Sequence, residues 1–110
     1  PPMSAPEISI DKLAAARADG PVPLVDVRQP EEYEAAHVPG AKLIPLADVV
    51  ARIGEIPTEG PVYVICQSGP RSQRAADFYR NRGIEAYNVA GGTKAWIEAG
   101  HEAAHGPFPG

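Results

Sequence analysis

Apolar positions in this chain come in short bursts separated by Gly and Pro, and the spacing inside each burst names the element it belongs to. Val62-Tyr63-Val64-Ile65 is β-branched and aromatic and is preceded by Gly60-Pro61, which is the composition of a strand. Residues 24–27, Leu-Val-Asp-Val, form a second compact run. They predict a buried strand whose end delivers Asp26 and Arg28 to a sheet edge. Residues 7–10, 41–44 and 86–89 are shorter strand candidates. Between them the apolar period lengthens. Residues 72–82 predict a helix with Ala75, Ala76, Phe78 and Tyr79 available for burial and Gly83 as its stop. Residues 11–18, around Leu13, and 93–99, ending at Gly100, predict two more. A fourth covers 31–36, with Pro30 tolerated at its first turn and Glu31 and Glu32 near its positive end. Leu46, Val49, Val50 and Ile53 have helical spacing, which predicts a helix over 46–53 closed by Gly54.

Strands alternating with helices imply an α/β domain with a parallel sheet covered on both faces. In such sheets ligands bind outside the carboxyl ends of the strands. Cys66 follows directly on the strand at 62–65, at such an end.

Composition narrows the picture. With 44% hydrophobic and 22% charged residues over 110 positions, the chain fits one globular domain. Many of its 13 Pro and 11 Gly separate the apolar runs, while Pro1, Pro2, Pro6, Gly106, Pro107, Pro109 and Gly110 lie near the ends. Residues 1–6 and 103–110 are therefore expected to be flexible tails around a domain at 7–102. The start, Pro1-Pro2-Met3, suits a processed product or a piece of a longer chain. A net charge of -4 without a basic run argues against nucleic acid and anionic membranes as partners. No apolar stretch approaches the roughly 18 residues of a spanning helix. A single cysteine permits no internal disulfide and suits a reducing, cytoplasmic setting.

The chemistry concentrates in Cys66-Gln67-Ser68-Gly69-Pro70-Arg71-Ser72. Free cysteines are commonly small buried hydrophobes, but a buried structural position does not usually continue into a polar turn. A helix start presents unpartnered N–H groups that bind anions and favour a thiolate. Arg71 is expected to supply a fixed positive charge, since a cation near a positive helix end is best explained by an anion between them. The loop offers the amides of Gln67, Ser68, Gly69, Arg71 and Ser72, but Pro70 has none to give. Ser72 reads equally well as a helix cap and as an orienter of the loop. The segment lacks the glycines and lysine of a nucleotide-binding phosphate loop.

His37, His101 and His105 are too scattered to form a metal site with one cysteine. His37 is a candidate base for Cys66, although a histidine at a helix end is more often structural. Asp26, Arg28 and Glu32 read as an ion-pair network holding loops in place, or alternatively as acid–base groups. Trp96 reads as core.

Three blocks then carry a resemblance. The first runs Asp26-Val27-Arg28-Gln29-Pro30-Glu31-Glu32-Tyr33 and continues through His37-Val38-Pro39-Gly40-Ala41 to Ile44-Pro45. The second is Val64 to Ser72 with Ala75-Ala76, and the third is Val89-Ala90-Gly91-Gly92 with Trp96 to Gly100. Across residues 7–102 the chain resembles the single-domain rhodanese sulfurtransferases. The resemblance implies a five-stranded parallel sheet flanked by helices, with Cys66 opening the active-site loop. It implies a thiolate that takes sulfur from a donor such as thiosulfate, becomes a persulfide, and passes the sulfur to cyanide or a thiol. It implies no metal and no organic cofactor.

Two departures from the family pattern stand out. Gln67 occupies a position where many thiosulfate-using relatives carry a basic residue, which removes one cation. Leu43 stands where Asn is common, which reads as a local packing change. The rival readings are a carrier or partner-binding module that shuttles a persulfide, and a phosphatase or arsenate reductase on the same fold. The phosphatase-type loop has five residues between cysteine and arginine; here four intervene, one of them Pro70.

Overall fold

The computed structural model describes residues 3–110; of the expected N-terminal tail, Pro1 and Pro2 lie outside the described residues. Among the described residues five strands are joined by helices and turns. They are β1 (Glu7–Ile8), β2 (Leu24–Asp26), β3 (Lys42–Leu43), β4 (Val62–Ile65) and β5 (Ala86–Val89). The helices are α1 (Ile10–Ala18), α2 (Pro30–Ala35), α3 (Pro70–Asn81) and α4 (Gly92–Glu98). Every strand pair is parallel and the order is β1-β5-β4-β2-β3.

The alternation along the strands sorts side chains onto two cores. Val25, Val27, Val62, Val64 and Ala86 pack with Ala75, Ala76 and Tyr79 of α3 on one face. Leu24, Ile65 and Val89 pack with Leu13, Tyr33 and Trp96, from α1, α2 and α4, on the other. Helices thus cover both faces, as the alternating pattern predicts. The side-chain period of a strand then places Cys66 with Val62 and Val64, on the α3 side.

This arrangement creates the site's location. β2 and β4 are neighbours, with Asp26 opposite Ile65. The chain leaving β2 enters α2 on one face, whereas the chain leaving β4 enters α3 on the other. Diverging connections open a crevice at the carboxyl ends of the strands, and Arg28 and Gln67, the residue after Cys66, line it.

Three expectations need correction. The helix predicted over 46–53 is instead two 3-10 turns, Leu46–Asp48 and Ile53–Glu55. Bonds of the tighter type run from Asp48 N to Pro45 O at 2.8 Å and from Ile56 N to Ile53 O at 3.1 Å. Val49 is buried but Val50 is 62% exposed, so the apolar positions do not share one face as an α-helix would require. The segment is tied at its start by Leu46 N to Val27 O at 3.0 Å.

The C-terminal stretch, expected to be flexible, is docked along α2 and the loop that follows. His37 and Ala104 exchange backbone hydrogen bonds of 2.9 and 2.8 Å, Gly106 N donates to Glu34 O at 2.8 Å, and Gly40 N donates to Pro109 O at 2.8 Å. At the other end Ala5 is buried, its N–H donating to Asp77 Oδ1 at 2.8 Å and its carbonyl accepting from Gln73 Nε2 at 2.9 Å. Proline and glycine kept both stretches out of helices and strands, but their backbone groups still found partners.

Candidate active site

The loop after β4 folds around the cysteine sulfur. Gly69 precedes α3 with φ 125° and Pro70 takes the first helical position, where its missing N–H leaves no bond unmade. A side chain at residue 69 would be strained by that φ, so the glycine lets the chain turn back over Cys66. Gly69 N donates to Cys66 Sγ at 3.1 Å. The Ser72 hydroxyl lies 3.2 Å from the same sulfur.

Cys66 is 1% exposed. Burial pushes its thiol up, but the Ser72 hydroxyl and the N–H groups of Ser72, Gly69 and Ser68 outweigh that effect and hold it below the ordinary thiol value. The inward-facing backbone N–H groups supply the positive potential that a thiolate needs.

α4 holds the loop from behind. Thr93 N and Thr93 Oγ1 donate to Cys66 O at 2.9 and 3.0 Å, and Lys94 N donates to Gln67 O at 3.0 Å. With both carbonyls taken up at the start of α4, those two peptide oxygens face away from the sulfur. Gly92 makes the approach possible. A Cβ there would lie 2.6 Å from both Cys66 O and Gln67 O, and its φ is +60°.

The two arginines behave differently from one another. Arg28 is 2% exposed and grips Asp26 through Nε at 3.0 and 3.1 Å and Nη2 at 2.8 Å. Its remaining donors reach Ala36 O at 2.8 Å and Gln67 Oε1 at 3.1 Å. One buried cation therefore ties β2, the end of α2 and the loop together. Asp26 and Arg28 thus form a buried ion pair with every Arg28 contact made inside the protein.

Arg71 does not stand beside the sulfur as a free charge. Its guanidinium makes a two-point contact with Glu32, at 2.7 and 2.8 Å, and both side chains are about a third exposed. Arg71 holds the Glu32 carboxyl down at about 2, against burial that pushes it up. The fixed positive charge expected of Arg71 is present but paired with Glu32, and it feels the charge of Cys66; hydrogen bonds from Ser72 and the loop are the larger influences that lower the thiol.

Ser72 sits in the third helical position rather than capping α3. Its Oγ lies 2.6 Å from Asn88 Oδ1 and 3.1 Å from Gly69 O. Pro70 and Ser68 are exposed on the rim beside Gln67. His37 is buried, stacked 3.7 Å from Tyr33, with Nδ1 2.8 Å from Tyr33 O and Nε2 3.0 Å from Pro109 O. Both ring nitrogens are engaged by backbone oxygens, so His37 is not placed to take a proton from Cys66. Trp96 is core, as expected, and its Nε1 donates to Glu102 O at 2.8 Å.

Three contributors escaped the sequence reading: Asn88, Thr93 and the close approach at Gly92. A signal for Asn88 existed. It falls in the alternation with Ala86 on the inward face of β5, where a polar side chain requires buried partners.

A recess of about 360 Å³ opens beside the loop, lined by Arg28, Glu32, Ala35, Ala36, Gln67, Thr93 and Ile97. A second, of about 330 Å³, lies on the other side of the loop, against Glu7, Gln73 and Asn88.

A parallel α/β sheet carrying a cysteine loop at its switch point is the architecture of the rhodanese-like domain, and the chain belongs to that family, whose pattern matches residues 9–99. It is 49% identical over 74 residues to "Uncharacterized protein YqhL" of Bacillus subtilis, covering 66% of this chain and 59% of that protein. It is 39% identical over 95 residues to "Putative sulfur carrier protein YrkF" of the same organism, covering 84% of this chain and 51% of that protein. The chain therefore spans between about half and three fifths of the length of these curated relatives. The crystal structure of a rhodanese-like domain protein from Staphylococcus aureus superposes with a TM-score of 0.82 at 32% identity, covering 91% of this chain and 97% of that one.

Proposed function

We propose that this domain is a sulfurtransferase that carries a sulfane sulfur as a persulfide on Cys66. The observation that carries the reading is the loop itself: a cysteine sulfur, lowered in pKa, enclosed by N–H and O–H donors at the end of β4. With thiosulfate as donor, the thiolate attacks the outer sulfur, the bond between the two sulfurs breaks with its electron pair, and sulfite leaves. Charge is conserved, and Cys66 is left as a persulfide anion held by the same donors. Cyanide or a thiolate then attacks the outer sulfur, giving thiocyanate or a new persulfide and restoring the Cys66 thiolate. Because Cys66 is almost completely enclosed, a donor must present a terminal sulfur end-on. No cofactor enters these steps.

A carrier reading, in which the donor and acceptor are protein persulfides and thiols, has its own support. The two arginines at the site are both occupied, Arg28 by Asp26 and Gln67 and Arg71 by Glu32. With Gln67 rather than a base beside the cysteine, little free positive charge remains for a small dianion. The relative named as a sulfur carrier points the same way. The phosphatase reading is disfavoured by the short loop, by Pro70 and by an arginine turned onto Glu32. A cytoplasmic setting, with small sulfur compounds or partner thiols and without nucleic acid or membrane, belongs to the same proposal.

The test is a donor screen read by mass at Cys66, with thiosulfate, mercaptopyruvate, glutathione persulfide and a protein persulfide. A gain of one sulfur that cyanide removes, absent in Cys66→Ser, is the expected result. A free, reactive thiol that gains no sulfur from any donor would sink the proposal. A gain from the protein persulfide alone would favour the carrier.

A further inference from the structure

Ser72 has one hydroxyl hydrogen and three acceptors within reach: Asn88 Oδ1 at 2.6 Å, Gly69 O at 3.1 Å and Cys66 Sγ at 3.2 Å. Gly69 O lies 3.1 Å away and already accepts from Gln73 N at 2.9 Å, whereas Asn88 Oδ1 is the nearest acceptor at 2.6 Å, so the main rival of the sulfur is Asn88. The Asn88 amide is not free to turn away. Its Nδ2 lies 3.1 Å from Glu7 Oε2 and 3.0 Å from Gln73 Oε1, both acceptors, so its oxygen must face Ser72. Gln73 is fixed in turn, because its Nε2 donates to Ala5 O and to Asp77 Oδ1, each at 2.9 Å. A polar chain therefore runs from β1 and α3 to the cysteine, every amide in it oriented by the one before.

The two protonation states of Cys66 use this chain differently. As a neutral thiol, Cys66 donates to Ser72 Oγ while Ser72 donates to Asn88, and every group is satisfied. As a thiolate, the sulfur needs the Ser72 hydrogen. Taking it leaves Asn88 Oδ1, in a side chain that is 1% exposed, without its donor. A buried acceptor stripped of its partner costs about as much as a hydrogen bond to a charged group returns. The competition is therefore between terms of similar size.

We propose that Asn88 is a positioning residue that competes with the Cys66 sulfur for the Ser72 hydroxyl hydrogen and so restrains ionisation of the sulfur at this site. It acts through Ser72 and does not touch the reacting atom. Of the other charged groups around the loop, Arg71 is paired with Glu32 from α3 and α2 and Arg28 with Asp26 at the end of β2, Asp77 of α3 accepts from Ala5 N and Gln73, and Lys94 of α4 is exposed. Glu7 of β1 bonds to Asn88 and also lines the recess beside Ser68, Gly69 and Pro70, so its carboxylate faces the loop. This inference deepens the sulfur-transfer reading, since a persulfide anion would draw on the same hydrogen, but the competition itself concerns only the resting thiol.

The experiment is the pH dependence of iodoacetamide alkylation of Cys66, followed by mass, which gives a titration midpoint without requiring sulfur transfer. In Asn88→Ala the midpoint is expected to move down by roughly one pH unit, the worth of one hydrogen bond to a charged group. In Ser72→Ala it is expected to move up. The double variant is expected to match Ser72→Ala alone, because without the hydroxyl there is nothing to compete for. If Asn88→Ala does not fold, Asn88→Val, which fills more of the space and suits a strand, takes its place. An unchanged or raised midpoint, or an equal fall in the Ser72→Ala background, would overturn the proposal. Loss of sulfur transfer with these shifts intact would refute the proposed function and leave the role of Asn88 standing.

Discussion

Arg28 and Arg71 both adjoin the cysteine loop, and each is held by a carboxylate in a two-point contact, yet they occupy opposite energetic regimes. Arg28 and Asp26 are sealed from water, whereas Arg71 and Glu32 are about a third exposed. A sealed pair is fixed, because separating it strands a charge in a poor dielectric. A half-exposed pair is worth little and is readily exchanged for another anion. The first arginine therefore holds β2, α2 and the loop together, and the second is the one whose partner can be exchanged.

The sharpest way to break that comparison is to remove one carboxylate at a time. Asp26→Ala leaves the buried Arg28 without its anion and is expected to destabilise the fold by about 3–5 kcal/mol, read by urea denaturation. A loss below about 1 kcal/mol would show that Ala36 O and Gln67 suffice for Arg28 and that the two pairs are alike.

Glu32→Gln is expected to act on function instead. A glutamine can still serve the helix-start contact that Glu32 Oε1 makes with Gln29 N at 3.1 Å, but it releases Arg71. The expected result is a KM for an anionic donor that falls several-fold, with stability changed by less than about 1 kcal/mol. An unchanged KM would mean that Arg71 takes no part in holding the donor.

The smallest effect concerns acid. Arg71 holds the folded-state Glu32 carboxyl at about 2, below its unreacted value of 4.5. A depressed carboxylate contributes stability that is complete above pH 4.5 and is lost as pH falls towards 2. Because the pair is part-exposed, screening limits this contribution to a fraction of about 1 kcal/mol. The difference in stability between the parent chain and Glu32→Gln should therefore shrink between pH 5 and pH 3, by denaturant titration at each; a difference that grows with acid would reverse the assignment.

The same contrast explains what could be read from the chain before folding. β4, β5 and α3 were legible because their apolar period and their Gly and Pro boundaries agree, and Cys66 was legible because a polar turn follows a buried strand. Arg71 was legible as a residue of the site but not as a partner of Glu32, since that pair joins helices 39 positions apart in sequence. The turns at 46–55 were hidden because i, i+3 spacing serves a 3-10 turn as well as an α-helix. Residues 103–110 were hidden for another reason. Their attachment is made by backbone groups to His37, Glu34 and Gly40, and backbone hydrogen bonds leave no mark on composition.

Gly92 has a consequence that reaches beyond packing. By letting the start of α4 collect the carbonyl oxygens of Cys66 and Gln67, it orients peptide dipoles whose polarity no proton can neutralise. A pocket lined by lysine or histidine loses its charge as solution becomes alkaline. One lined by peptide hydrogens presents the same field across the whole range in which the fold survives, and here that constant field acts on Cys66 together with the Ser72 hydroxyl.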